Sequence, residues 1–204
     1  MRSSLKNMII VLFVITFCSS LLVGIVHSVT EEPIREASKR AETESVKNVL
    51  PQFDSTQVEI INLGEEQIKV TKALKDGSTI GCAVLAVSHS GFGGDVALMV
   101  GYLSDGTIYN INVLSQKETP GLGTHMTEDG NPLLGSFKGL NAGKVNMNVK
   151  KDGGDVDALT AATISSRAYC DAVRKSYEAF KLTDVYRPSE IEDTLAGAAN
   201  DSVN

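Results

Sequence analysis

The sequence lacks the patterns that mark nucleic-acid binding and metal binding. No stretch interleaves basic with aromatic residues, and the formal net charge of −6 does not favour contact with a polyanion. The three histidines are scattered, without the spacing of metal ligands. No nucleophile, base and orienting acid can be assembled either. These absences argue against a nucleic-acid partner and a metal centre, and they leave no candidate catalytic side chain.

Cysteine is scarce and odd in number. Of the three cysteines, Cys18 falls within a long apolar run, so only Cys82 and Cys170 are available to form a disulfide in the rest of the chain. The sequence leaves open whether these two meet.

Charge is missing from residues 8–29, which contain no Asp, Glu, Lys or Arg. An apolar run of this length crosses the core of a bilayer as a helix, so we predict one transmembrane helix here. Arg2 and Lys6 precede the run, whereas Glu31 and Glu32 follow it. The positive-inside tendency therefore predicts a cytoplasmic N-terminus in the cell inner (cytoplasmic) membrane, with the main domain on the periplasmic, extracytoplasmic side.

A cleaved signal peptide is the alternative, although no small-x-small cleavage site stands out near His27. With 204 residues, of which 42% are hydrophobic, the chain has room for one ordinary domain beside the apolar run. We predict a cytoplasmic N-terminus at residues 1–7, a transmembrane helix at 8–29, a helical spacer at 30–51, one domain at 52–183 and a flexible acidic tail at 184–204.

The central part of the chain has the pattern of a sheet. Asp76-Gly77 and Asp105-Gly106 lie between strand-like runs and predict hairpin turns. The last run, 145–149, alternates cleanly between apolar and polar residues, as in a half-buried strand. We therefore predict an α+β domain with a largely antiparallel sheet and helices on one side. The predicted strands are residues 58–63, 67–74, 79–88, 96–102, 107–114 and 145–149.

A helix follows the strands and begins in a cluster of hydroxyl and small residues. Apolar residues recur at three- and four-residue steps from Ile164 to Phe180, which predicts an amphipathic helix. Free N–H groups and the helix dipole favour a phosphate at its start, and Ala161 and Ala162 leave room for close approach. Ordinary helix capping is the alternative and needs no ligand. The candidate hydroxyls are those of Thr160, Thr163, Ser165 and Ser166.

Two glycine-containing loops lie upstream of this helix. Pro120-Gly121 predicts a type II turn within residues 118–123. The same loop could hold a flat ring, because glycine allows close approach of the backbone, Leu122 could pack on the ring and Thr119 could bond its polar edge. Residues 91–94 are Gly-Phe-Gly-Gly, which would also suit a plain hairpin connection.

The run Asp157-x-x-Thr160-x-Ala162-Thr163 resembles the flavinylation motif of the FMN-binding domain family. In that family the last Thr of the motif carries FMN through a phosphoester bond, and the matching position here is Thr163. Ala161 stands where the family usually has Gly, so a backbone conformation with positive φ would be less comfortable there.

The resemblance extends over nearly the whole chain except the tail. The run 118–123 matches a Glu-Thr-Pro-Gly-Leu-Gly run of flavinylated electron-transfer subunits, residues 91–94 resemble a family glycine-rich loop, and Lys150 and Lys151 resemble a basic position ahead of the motif. The order of these features is similar to that of the G subunits of Rnf complexes, membrane ferredoxin:NAD⁺ oxidoreductases coupled to Na⁺ or H⁺ movement. The C subunits of Na⁺-translocating NADH:quinone reductases share the motif but are usually longer.

The resemblance implies a membrane-anchored electron carrier with covalent FMN, partnered by other membrane subunits and matured by a flavin transferase. The flavin, and no side chain, would carry the redox step. A stand-alone exported flavoprotein and a membrane-tethered binding module without flavin are the alternatives. The implied FMN contacts are the Thr163 ester together with Asp157, Thr160, Ala162, Ser165, Ser166, Glu118, Thr119, Gly121, Leu122, Gly123, Phe92 and Lys151.

Overall fold

The structure, a computed structural model, describes residues 2–187. A long helix leads into five strands, a series of short helical turns and a second long helix. Short 3-10 turns occur at Gly123–Thr127, Ala142–Lys144 and Lys150–Asp152. The helices and strands are α1 (Arg2–Val49), β1 (Ser55–Leu63), β2 (Glu66–Lys75), β3 (Ser78–Ser88), β4 (Val96–Leu103), β5 (Ile108–Ser115), α2 (Pro132–Gly135) and α3 (Thr163–Lys181).

Helix α1 is continuous and contains Pro33 in its interior. The sequence predicted two helical segments, at residues 8–29 and 30–51, and the structure joins them in one helix. A proline removes one backbone donor from a helix, while the turns on either side keep theirs. The segment from Leu5 onward is long and apolar enough to cross a membrane, judged by length and composition. The chain divides into two compact units, Met1–Ala41 and Glu42–Asn204.

The five strands form one antiparallel sheet in the order β1-β2-β3-β4-β5, so each strand pairs with its neighbour in sequence. The predicted turns are present between β2 and β3 and between β4 and β5. Asp76 and Gly77 have φ values of +51° and +76°, which suit the tight turn of a two-residue hairpin. Five of the six predicted strands are therefore confirmed, with bounds shifted by a few residues.

Helices cover both faces of the sheet, rather than the one side that was predicted. On one face, the end of α1 packs Val46 and Val49, together with Leu50 just after the helix, against Ala73, Ala83 and Met99. This contact is close, because a Cβ on Gly101 would lie 1.7 Å from the carbonyl oxygen of Val49. On the other face lies α3, whose buried residues include Ala168, Ala172, Val173, Ala179 and Phe180.

A buried pair of aromatic rings anchors α3 to the sheet. The rings of Tyr102, on β4, and Phe180 stack with centroids 4.6 Å apart. The Tyr102 hydroxyl also lies 2.7 Å from the Oγ of Ser176. Burial raises the pKa of Tyr102 and keeps the phenol neutral. This anchor lies in the half of α3 that is distant from its first residue.

The predicted strand at residues 145–149 is wrong. Met147 and Val149 are buried, whereas Asn146 and Asn148 are exposed, as the alternation indicated. The backbone nevertheless pairs with none of the five strands of the sheet, and its bridge, between Val149 and Val156, is an isolated one. Asn146 donates its side-chain amide to the Gly153 carbonyl, so the segment folds back on a local turn instead of joining the sheet.

Cys82 and Cys170 are both buried in the core and both are free thiols, so they do not form a disulfide with each other. Burial raises the pKa of each thiol to about 12, so neither is ionised near neutral pH. After α3 the chain stays packed for a few residues, since Val185 is buried and the Tyr186 ring meets that of Phe180. The rest of the predicted tail, residues 188–204, lies outside the described residues.

Candidate functional site

A cavity of about 560 Å³ opens where the first turn of α3 meets the two glycine-containing loops. Its volume falls within the roughly 300–1,000 Å³ that is usual for a small-molecule or cofactor site. The lining combines three exposed apolar side chains with three hydroxyl side chains and small residues. It consists of Phe92, Thr119, Leu122, Gly123, Ala161, Ala162, Thr163, Ile164 and Ser165.

Thr163 is the first residue of α3, and its side chain is half-buried in the cavity wall. No side chain among residues 2–187 caps the helix start, where Ala162 occupies the N-cap position. The first N–H groups of a helix have no intrahelical partner, and the dipole makes this end positive. The alternative of ordinary capping by a side chain is therefore wrong for this helix, whereas an anion at this point would meet free backbone donors.

The four hydroxyls of the motif have different surroundings. The Ser165 hydroxyl donates to Oε2 of Glu118 at 2.5 Å. The Ser166 hydroxyl is fully buried, donates to the Ala162 carbonyl at 2.9 Å and accepts from the Leu159 N–H at 3.0 Å. Thr160 is exposed and lines a neighbouring cavity instead. Contact of Thr160 or Ser166 with FMN stays a prediction, and Thr163 is the hydroxyl that the cavity leaves available.

Ala161 adopts the conformation that the sequence indicated would be uncomfortable. Its φ of +58° is left-handed, although it carries a Cβ. The turn is closed by the Ala162 N–H, which donates to the Leu159 carbonyl at 3.2 Å. A left-handed residue at this point directs the chain from the loop into α3 and keeps Ala161 in the cavity wall.

We expect Ala161→Gly to stabilise the chain by up to about 1 kcal/mol. Glycine avoids the steric cost of a left-handed conformation, roughly 1–2 kcal/mol, but it also raises the backbone entropy of the unfolded chain, which offsets part of this gain. Denaturant unfolding of the detergent-solubilised chain, produced without flavin, measures this. Ala162→Gly is the matched control and should destabilise by about 0.5–1 kcal/mol, since Ala162 has an ordinary φ of −129°. Equal destabilisation by both variants would contradict a left-handed Ala161.

The loop at residues 118–123 contains the predicted turn. The Leu122 N–H donates to the Thr119 carbonyl at 3.1 Å, and Gly121 has a φ of +73°, as position three of a type II turn requires. The turn brings Thr119, Leu122 and Gly123 to the cavity. Gly121 itself lines the neighbouring cavity, so its role is conformational and its contact with FMN stays a prediction.

The charged residues of the predicted site do not line the cavity. Asp157 pairs with Lys150, with Nζ and Oδ1 2.7 Å apart, and lines a third cavity. Lys151 is exposed and acts electrostatically on Asp152, whose pKa is lowered chiefly by its hydrogen bond to Arg167. Direct contacts of Asp157 and Lys151 with FMN therefore stay predictions.

Ile164 is the lining residue that sequence reasoning missed. It falls in the same periodicity as the core residues of α3, yet 46% of it is exposed, because it lies on the first turn of the helix. Phe92, at 68% exposed, and Leu122, at 40%, complete an apolar set around the opening. No local signal separated Ile164 from the core stripe.

The residues fit FMN. A flat, largely apolar ring system needs apolar walls and close backbone approach, which Phe92, Leu122 and Ile164 supply together with Gly123. A phosphate needs donors and positive potential, which the uncapped start of α3 supplies. A phosphoester needs an available hydroxyl, and among the four hydroxyls of the motif Thr163 is the one that lines the cavity without another hydrogen bond shown in the structure.

Comparison with known proteins agrees with this geometry. Residues 91–178 match the model of the FMN-binding domain, a span that runs from the glycine-rich loop into α3. The G subunit of the ion-translocating oxidoreductase complex of Vibrio atlanticus is 31% identical over 190 residues, covering 87% of this chain and 91% of the relative. The G subunit of Aliivibrio fischeri strain ES114 is 30% identical over 194 residues, covering 89% and 92%. The chain therefore belongs to the family of ion-translocating oxidoreductase complex G subunits.

Proposed function

We propose that this chain is a membrane-anchored electron-transfer subunit of an Rnf-type complex, which couples electron transfer between ferredoxin and NAD⁺ to Na⁺ or H⁺ movement. Its cofactor is FMN held by a phosphoester to Thr163. The observation that carries the proposal is the position of the Thr163 hydroxyl at the uncapped start of α3, inside a cavity of cofactor size. The family membership supports the same role.

The cavity supplies binding and orientation but no acid–base group. None of its nine lining residues has a side chain that titrates near neutral pH. FMN supplies the redox chemistry when it is bound. The N–H groups at the start of α3 neutralise phosphate charge, and Thr163 holds the cofactor covalently. Phe92, Leu122 and Ile164 would pack against the ring of the cofactor.

The intact mass and the visible spectrum of the membrane-extracted chain test this function. The chain is produced together with a flavin transferase and other subunits of the complex. We expect the mass of one esterified FMN, a yellow protein and copurification with several membrane subunits. A colourless chain of unmodified mass would contradict the flavin and favour a binding module. A yellow chain that copurifies with nothing would indicate a stand-alone flavoprotein.

We further propose that residues 1–7 are cytoplasmic, that residues 8–29 span the membrane and that the domain after residue 30 is periplasmic. The support is the distribution of Arg2 and Lys6 before the apolar run and Glu31 and Glu32 after it. External protease should cut the domain in spheroplasts and leave it intact in inverted vesicles. The reverse pattern would mean that the orientation is opposite to the one proposed.

A further inference from the structure

Glu118 is a buried acidic residue next to the cavity, and its carboxylate contacts both the glycine-rich loop and Ser165 in the cavity wall. Only 5% of it is exposed, and it is not among the lining residues. Its Oε1 accepts the backbone N–H of Gly93 at 3.2 Å, and its Oε2 accepts the Ser165 hydroxyl at 2.5 Å. One carboxylate therefore joins the glycine-rich loop to the first turn of α3.

The space for this carboxylate exists because its neighbours are glycines. A Cβ on Gly91 would lie 2.6 Å from Oε1 of Glu118. A Cβ on Gly123 would lie 2.6 Å from both the Cβ of Glu118 and the Oγ of Ser165. The backbone of Glu118 is also fixed in place, because its N–H donates to Oε1 of Gln116 at 2.6 Å. The three segments are thus packed around one side chain.

We propose that Glu118 is a positioning residue, which fixes the separation between the glycine-rich loop and the start of α3 and thereby sets the shape of the cavity. The inference rests on the proposed function, because the cavity is taken to hold the flavin. Hydrogen bonds to a carboxylate are shorter and stronger than neutral ones, and a buried carboxylate that loses a donor is left unsatisfied. The link is therefore rigid. It acts through Ser165 and through Phe92, the neighbour of Gly93, both of which line the cavity.

The first arm of the test uses the full chain produced without flavin transferase. Hydrogen exchange is measured on peptides that cover residues 91–94 and the start of α3. Glu118→Ala and Ser165→Ala should each accelerate exchange there by about tenfold or more, because the hydrogen-bonded link between the loop and α3 is lost. Glu118→Gln should stay close to the wild type, since its amide oxygen accepts from Gly93 and its NH₂ donates to Ser165.

The second arm uses the same variants of the full chain after flavinylation. Iodide quenching of the flavin fluorescence reports how well the cavity walls shield the ring. Glu118→Ala and Ser165→Ala should increase quenching severalfold, and Glu118→Gln should restore shielding.

Ser176→Ala is the matched control, because it removes another buried hydroxyl from α3, one that lies 2.7 Å from the Tyr102 hydroxyl. It should lower stability without changing either readout at the cavity. Wild-type exchange and quenching in Glu118→Ala, or a Glu118→Gln variant that behaves like Glu118→Ala, would overturn the inference. A wild-type chain that acquires no flavin would contradict the proposed function, and the exchange arm would still decide the role of Glu118.

Discussion

Thr163→Val is expected to abolish covalent flavin while leaving a folded chain. Valine has nearly the shape of threonine but no oxygen to esterify, and Thr163 is a half-buried residue at the first position of α3, where a β-branched residue is tolerated. The expected result is complete loss of the FMN mass and of flavin fluorescence on a denaturing gel. The transferase must be present in the expression host, so that the wild type shows the modification.

Thr160→Val is the matched control for this prediction. It makes the same change within the same motif, at an exposed residue that lines the neighbouring cavity. The variant should keep its covalent flavin. Ser165→Ala should also keep the ester, because the Ser165 hydroxyl is already engaged by Glu118. Retention of flavin by Thr163→Val, with loss in Thr160→Val or Ser165→Ala, would show that a different hydroxyl carries the cofactor.

The second large effect is expected from Gly123→Ala. The added methyl group would meet the Cβ of Glu118 and the Oγ of Ser165 at 2.6 Å, well inside normal contact distance. Both neighbours are buried and held by hydrogen bonds, so neither moves freely. Overpacking of this kind destabilises by about 1–3 kcal/mol. Because Gly123 also lines the cavity, we expect a lower yield of flavinylation along with the loss of stability.

Denaturant unfolding and intact mass of the full-length chain in detergent measure the two effects of Gly123→Ala. Gly135→Ala is the matched control, since a Cβ there has no neighbour within 4 Å and the residue lies in α2. It should be neutral or stabilising by about 0.4–1 kcal/mol, because alanine restricts the unfolded chain. If the Gly123→Ala chain were as stable and as fully flavinylated as Gly135→Ala, the residues around Gly123 would accommodate the methyl group without cost. That outcome would contradict the prediction.

Local signals in the sequence were sufficient for most of the elements. Hairpin turns such as Asp76-Gly77, strand patterning and the periodicity of α3 depend on residues close in the chain, so five strands and the helix were predicted. At Ala161 the resemblance indicated only that a positive φ would be less comfortable than for glycine, and the structure has a φ of +58° there. Thr163 was predicted as the attachment residue from its resemblance to the flavinylation motif. The apolar run by itself predicted the transmembrane helix.

Long-range packing decided the rest. The pattern at residues 145–149 reports burial but not pairing, so it could not distinguish a strand from a turn whose side chains alternate. Helices cover both faces of the sheet, because the end of α1 packs on the face opposite α3. No local pattern in the sequence encodes this contact. Ile164 shares the periodicity of the α3 core, but it is exposed on the first turn of α3 and lines the cavity there.

The four hydroxyls of the motif show most clearly which features local sequence determines and which depend on long-range packing. By itself, the sequence determined that they gather at the start of a helix, because capping and periodicity are local properties. Only the tertiary structure decided which are engaged, since the partner of Ser165 is Glu118, which lies 47 positions away in the chain. A hydrogen bond between distant residues depends on how the loops meet. The sequence therefore determined where these hydroxyls lie along the chain, and the packing of the two loops against the start of α3 determined which of them line the cavity.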